Sequence, residues 1–376
     1  MKKLLIITRW YLPAVKSGGT VQSTSALVNG LKSEFDISII TSNKDLGAKE
    51  PYKNVLFNQW INLFGIKIVY LSKLDIKSMD KYIKECSPEV IYLNSFFDIT
   101  TQLFIYLKLK GKIKSKIILA PRGELGKGAL SIKSGKKKIY LFLYKLFNLS
   151  KGITFHATSK EDAEDIKLFF PKNKIEIIQN LKAETTETYL LPEKESGKIK
   201  MVFISRIAPV KNLLYGLEVL NNNSFEGMIE FDIYGPEEDK DYWMQCKEVM
   251  AKLPSNIFVN YKGFVDPKDI GLTLSQYHLF FLPTKGENFG HAIVEAMRVG
   301  LLPLISNKTP WTNLETHQAG FSLSLEERDT FALAIQKVLL FNNEKFMEYS
   351  NNVKRYIGEK INTQKTLEEY KVLFEQ

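Results

Sequence analysis

Cysteine is scarce in this sequence. Its two, Cys86 and Cys246, lie far apart and neither belongs to a CxxC pair, which argues against a disulfide framework or a thiolate zinc site. Histidine is equally thin: there are four, none set among carboxylates at metal-ligand spacing. Long apolar runs are missing too. No window approaches the roughly 18 apolar residues that a spanning helix needs. The N-terminal Met-Lys-Lys-Leu-Leu-Ile-Ile-Thr holds an apolar run of only four residues, too short for the core of a signal peptide. A cytoplasmic protein is expected, with attachment to the inner membrane face left open.

What is present points to a folded enzyme-sized chain. The 376 residues are 44% hydrophobic and 25% charged, a globular composition long enough for two domains. The net charge of +10 is unevenly placed: residues 1–180 carry 30 Lys and Arg against 15 Asp and Glu, whereas 181–376 carry 22 against 27. Only the first half offers a basic surface to nucleic acid, an anionic membrane or a phosphorylated substrate.

Short apolar runs alternate with helical patterns along most of the chain. Strands are expected at Lys3–Thr8, Asp36–Thr41, Ile66–Leu71, Val90–Leu93, Lys116–Ala120, Ile153–Ala157 and Ile175–Ile178, with helices between them. The polar stretch 182–198 breaks this rhythm and reads as a linker. The alternation then restarts, with strands expected at 200–205, 229–234, 257–261, 278–282 and 302–306. Such alternation predicts an α/β fold of two parallel-sheet domains with a cleft between them: 1–181, 199–344, and a helical segment 345–376 returning to the first domain.

Three loops could do chemistry. In Pro283-Thr-Lys-Gly-Glu-Asn-Phe-Gly-His-Ala-Ile-Val-Glu295, an apolar strand candidate precedes a two-glycine loop and then a helix. The helix start offers unpaired N–H groups to a diphosphate. Glu287 and Glu295 could accept hydrogen bonds from hydroxyls on either side, or Glu295 could simply pair with Arg298 one turn on. In Phe203-Ile-Ser-Arg-Ile-Ala-Pro-Val-Lys211, two cations five residues apart follow a strand and could neutralise a leaving diphosphate. Around Gly18-Gly19, paired glycines after the first strand let backbone N–H groups approach a phosphate, or merely form a flexible turn.

Taken together, these loops resemble those of the GT-B glycosyltransferases, and within them the retaining family 4 group (glycosyl transferases group 1). The resemblance covers nearly the whole chain. It implies two Rossmann-like domains facing a central cleft. It implies that Glu287 binds the donor sugar, Glu295 the ribose, and Arg206 and Lys211 the diphosphate. Backbone amides of Asn288, Phe289 and Gly290 would approach the donor, and Gly18 and Gly19 would lie beside its diphosphate. No enzyme nucleophile is evident, so the resemblance implies a front-side, metal-independent transfer with no cofactor. The implied activity is a hexosyltransferase in bacterial O-antigen, lipopolysaccharide, capsule or other surface-polysaccharide synthesis. The donor would be a UDP- or GDP-sugar, and the acceptor a polyprenyl-diphosphate-linked sugar or an oligosaccharide. A sugar-nucleotide epimerase on the same fold, or a non-enzymatic nucleotide or nucleic-acid binding protein, are the alternatives. The chain lacks the aromatic-basic signature of a nucleic-acid fold, so no nucleic-acid partner is expected.

One family feature is absent. Ala120-Pro-Arg122-Gly-Glu124 occupies the place where many members carry a histidine. Arg122 and Glu124 could line the acceptor side, with Asn94, or pair with each other. His156 reads as a structural residue at a strand end, and Asp239-Lys-Asp241 as a helix cap rather than a metal site. The segment 133–149, four lysines leading into an aromatic-aliphatic helix, suits either an anionic membrane surface or a core helix with lysines at its exposed end.

Overall fold

Most of the apolar runs become central strands, because a parallel sheet covered by helices on both faces buries both sides of each strand. A computed structural model of the protein describes residues 1–63, 65–111, 113–131, 134–182 and 188–376. The chain forms two compact units, Met1–Glu184 with Thr363–Gln376, and Thr185–Asn362.

The first unit runs β1 (Lys2–Ile7), α1 (Gly19–Leu31), β2 (Phe35–Ser42), β3 (Trp60–Leu63), β4 (Ile66–Leu71), α2 (Ile76–Cys86), β5 (Val90–Asn94), α3 (Ile99–Leu109), β6 (Lys116–Ala120), α4 (Lys127–Ser131), α5 (Ser134–Leu146), β7 (Ile153–Ala157), α6 (Lys160–Phe169) and β8 (Ile175–Ile177). Its sheet has the order β3-β4-β2-β1-β5-β6-β7-β8. Every pairing is parallel except that of β3 with β4. The strand order reverses between β1 and β5, so their carboxyl ends flank a topological switch point, where such sheets bind ligands.

The second unit runs β9 (Lys198–Ile204), α7 (Leu213–Asn222), β10 (Met228–Tyr234), α8 (Lys240–Met250), β11 (Ile257–Gly263), a 3-10 turn (Pro267–Asp269), α9 (Ile270–Leu274), β12 (Leu279–Leu282), α10 (His291–Val299), β13 (Leu302–Ser306), β14 (Phe321–Leu323), α11 (Arg328–Leu339) and α12 (Asn343–Lys360). All pairings in its sheet, β11-β10-β9-β12-β13-β14, are parallel. This is the doubly wound order of nucleotide-binding folds, with its switch point between β9 and β12. The last helix, α13 (Thr363–Glu375), belongs to the first unit. There Tyr370, Leu373 and Phe374 are buried, with Phe374 edge-on to Phe35 at 5.9 Å.

Two expectations change. Of the expected linker 182–198, residues 183–187 lie outside the described residues. The rest after them is part of the second unit. Lys194 is buried, its ammonium donating to the carbonyls of Glu195, Leu339 and Phe341. A lysine that caps a helix C-terminus in this way looks from sequence like one more linker charge. Nor does the whole of 345–376 return to the first unit. Phe346, Tyr349, Val353, Tyr356 and Ile357 bury one face of α12 within the second, and only α13 crosses back.

Each unit also buries a neutral histidine. Tyr92 donates its hydroxyl to His156 Nδ1 at 2.8 Å, and Nε2 donates to the Ile178 carbonyl at 2.8 Å. His278 Nδ1 accepts from the Lys200 amide at 3.0 Å. Burial pushes His156 down to about 3 and His278 to about 4 from the ordinary 6.5. The folded values lie below the unfolded one, so the unfolded chain takes the proton first. Stability from each histidine is therefore full above pH 6.5 and declines by about 1.4 kcal/mol per pH unit as pH falls toward the folded value. Urea midpoints should drop between pH 7 and 5, and His278→Gln should flatten that drop. A midpoint with the same pH dependence in the variant would refute the assignment.

Candidate active site

The loops after β9 and β12 are brought together by the sheet itself. These strands are neighbours, with Leu279 opposite Met201. Beyond the strands, the Val210 carbonyl accepts from the Thr284 hydroxyl at 3.0 Å and the Lys285 amide at 2.8 Å. That clamp sets Lys211, one residue on, beside Glu287. The Lys211 ammonium donates to Glu287 Oε1, and each side chain is only 13% exposed. The Glu287 amide in turn donates to the Lys308 carbonyl at 2.9 Å, fixing the loop to the end of β13. A screened ion pair at the carboxyl edge of the switch point, still open to solvent on one side, can present both a cation and a hydrogen-bond acceptor to a ligand.

Arg206 lies at the start of the same loop and is more open. Its guanidinium pairs with Glu238 at 2.6 Å, and both side chains are about two-fifths exposed, 41% and 43%. Surface pairs of this kind hold their geometry weakly, so Arg206 can be drawn to an anion. Asn212 follows in a left-handed conformation, φ 61°, and starts α7.

Gly290 starts α10 at φ 76°, and a Cβ there would sit 2.8 Å from Ile293 Cδ1. Only glycine meets both conditions without strain. No side chain caps this helix start. Phe289 is buried against Trp311, whose indole N–H donates to the Phe289 carbonyl at 2.6 Å. The Phe289 ring is thus core, and what the loop offers a ligand is backbone. Asn288 is partly exposed, and Glu295 is the fifth residue of α10, partly exposed on the side away from buried Ile293, Val294, Ala296 and Met297.

In the first unit, Gly18 takes φ 57° before α1, which starts at Gly19 and has no side-chain cap. Asp45 Oδ2 accepts from the amides of Val15 and Lys16 at 3.0 and 3.2 Å and holds this loop. Nothing in the sequence singles out Asp45.

Arg122 and Glu124 have separate partners and do not bond to each other. Arg122 donates from Nε to Asn94 Oδ1 at 2.8 Å, from one terminal nitrogen to Tyr92 Oη at 3.0 Å, and from the other to Asn180 Oδ1. Asn94, buried at the end of β5, donates to Thr24 Oγ1 at 2.6 Å. Glu124 accepts from the Ser95 hydroxyl at 2.6 Å and from the amides of Phe96 and Phe97 at 2.6 and 3.0 Å. Burial raises its pKa above the ordinary carboxylate value, against those hydrogen bonds. So Arg122 and Glu124 each serve a separate buried network, and their hydrogen-bonding capacity is largely spent on the fold. His156 and Asp239 are structural as read: Ser159 caps α6 after His156, and Asp239 accepts from the Tyr242 amide at the start of α8. Among the described residues, no three His, Cys, Asp or Glu side chains gather as a metal cage.

Residues 191–356 match the sequence profile of the glycosyl transferases group 1. The matched segment lies within the second unit. The fold of the chain is that of the GT-B glycosyltransferases. It is similar to sucrose-phosphate synthase from Thermosynechococcus elongatus, with a TM-score of 0.79 at 13% identity over 100% of this chain and 99% of that one. It is likewise similar to Anabaena HepE, solved in complex with UDP and glucose, with a TM-score of 0.72 at 13% identity over 100% of both chains. By sequence it is 25% identical over 294 residues to an uncharacterized 41.2 kDa protein in the cps region of Klebsiella pneumoniae, covering 75% of this chain and 77% of that protein. Within the matched segment, the Lys211–Glu287 pair and the bare start of α10 both lie at the carboxyl edge of the sheet.

Proposed function

We propose that this protein transfers a hexosyl group from a nucleotide-sugar to a hydroxyl of a polyprenyl-diphosphate-linked acceptor, with retention of configuration, in the synthesis of a bacterial surface polysaccharide. The observation that carries the reading is the Lys211–Glu287 pair at the switch point of a group 1 glycosyl transferase domain. The donor diphosphate takes the Lys211 ammonium and the amides at Asn288–Gly290, with Arg206 recruited from its surface pair. Glu287 accepts from the sugar hydroxyls and Glu295 from the ribose. The cps-region relative favours a surface polysaccharide, and the UDP bound to Anabaena HepE favours a UDP-sugar.

A thermal-shift screen against UDP-, GDP- and dTDP-sugars tests the donor. UDP-sugars should raise the melting temperature at millimolar concentration, and no shift with any of the three would overturn the reading. Incubation with donor alone should leave it unchanged, whereas an isomerised donor would identify an epimerase. Because two side-chain cations serve the diphosphate, no divalent metal is required, and transfer should survive excess EDTA within about twofold.

A further inference from the structure

The exposed face of α5 is a feature that the proposed donor site leaves unused. Leu141 and Tyr144 turn inward, with Tyr144 wholly buried. Ile139, Phe142, Leu143, Leu146 and Phe147 point out. Phe142 and Phe147 are 63% and 62% exposed. Their spacing of three and four residues makes one continuous stripe. Phe147 extends it past the helix end, since its amide still donates to the Leu143 carbonyl at 3.0 Å. The apolar surface continues onto α3. Lys108 reaches from α3 to the Leu149 carbonyl at 3.1 Å, just beyond α5, and the neighbouring Tyr106 and Leu109 are also exposed.

The stretch of chain that carries this face is strongly basic, although the acids Glu161, Asp162, Glu164 and Asp165 of α6 follow directly after it. Between residues 99 and 160 the sequence carries 13 lysines and one arginine against a single acid, Glu124. Glu124 is bonded to the Ser95 hydroxyl and two backbone amides and is only partly exposed. Lys136, Lys138 and Lys145 are exposed on α5, and Lys110 and Lys114 lie at and beyond the end of α3. Thirteen residues of helix span about 20 Å, too short to cross a bilayer, and no helix among the described residues is long and apolar enough to do so. An apolar stripe of this length bordered by lysines suits a helix lying in the plane of a lipid interface.

We infer that α5 is a membrane seat: Ile139, Phe142, Leu143, Leu146 and Phe147 enter the acyl boundary of an anionic phospholipid bilayer while the surrounding lysines bind its phosphates. This deepens the proposed function, resting on it only for the reason a seat is useful, namely that a lipid-linked acceptor lies at that surface. The physical claim stands apart from the reaction.

Flotation of the full chain with vesicles tests it. Wild type should float with phosphatidylcholine vesicles containing about a third phosphatidylglycerol and stay behind with pure phosphatidylcholine, and salt should weaken the binding. Lys136→Gln with Lys138→Gln should lower the partition coefficient roughly 25-fold, at about 1 kcal/mol per charge. Phe142→Ser with Phe147→Ser should lower it on the order of 30-fold or more. Both variants change exposed positions and should keep the wild-type melting temperature and the UDP-sugar thermal shift. Failure to float on anionic vesicles, or flotation untouched by both double variants, would overturn the seat. So would a concentration-dependent dimer that Phe142→Ser with Phe147→Ser disperses, or duplex DNA bound as tightly as the vesicles at equal salt. Wild type that floats but shows no shift with any nucleotide-sugar would leave the seat standing and remove the transferase reading instead.

Discussion

Glu287→Ala should lower kcat/KM for sugar transfer by on the order of 10³-fold or more, with the protein remaining folded and monodisperse. The size follows from the pair's double occupation. Lys211 and Glu287 are each only 13% exposed, so the lysine left behind loses its partner while largely buried. On the proposed reading the donor also loses an acceptor for its hydroxyls, an interaction worth most when the sugar is aligned for attack. Lys211→Ala removes instead the cation that the proposed reading assigns to the departing diphosphate, and loss of one such group costs about 10²–10³ in kcat. The stability cost of either change should be about 1–3 kcal/mol, since the pair keeps contact with water. The double variant separates two roles. If Glu287 only holds Lys211 in place, the double change costs no more than Lys211→Ala. If Glu287 touches the sugar itself, the losses approach multiplication. Steady-state kinetics with the donor identified by thermal shift decides this, and a Glu287→Ala enzyme within threefold of wild type would sink the site assignment.

That pair was half legible in the sequence. Glu287 stood out in a two-glycine loop and Lys211 as one of two cations after a strand candidate, but their contact depends on β9 and β12 being neighbours, which no local pattern states. The buried strands were easier. Leu4–Ile7, Val90–Leu93 and Leu279–Leu282 read as continuous apolar runs because both faces are covered. The two strands that went unread are unlike them. Trp60–Leu63 is an edge strand with no fully buried residue, and Phe321–Leu323 has three residues. The break between α12 and α13 was hidden because Ile361-Asn362 carries neither proline nor glycine. The outward turn of α5 was left open, because its lysines and aromatic-aliphatic residues suit a membrane surface or a core helix alike, and only packing distinguishes Tyr144, inside, from Phe142, outside.

Arg122→Met should cost the first unit about 3–5 kcal/mol, the largest stability loss expected of any single change here. Three acceptors depend on the guanidinium: Asn94 Oδ1, Asn180 Oδ1 and the hydroxyl of Tyr92. Asn94, Asn180 and Tyr92 are all buried, and methionine would leave each acceptor without that donor. The loss then travels along the chain of bonds, because Tyr92 also fixes the tautomer of His156 through Nδ1. For a unit of this size, about 2–4 °C per kcal/mol converts the loss into a melting-temperature drop of roughly 10 °C. Arg122 also contributes, after burial, to holding the His156 pKa low, so removing its charge should raise that pKa, readable by NMR titration of the imidazole. Arg122 therefore acts as a positioning residue, and its role in transfer should pass through the fold. At a temperature where the variant is fully folded, kcat should stay within about tenfold of wild type, and Arg122→Lys should recover only part of the stability, since an ammonium cannot reproduce the planar fork. A variant that melts like wild type yet has lost transfer would return Arg122 to the acceptor side, where the sequence alone had allowed it to stand.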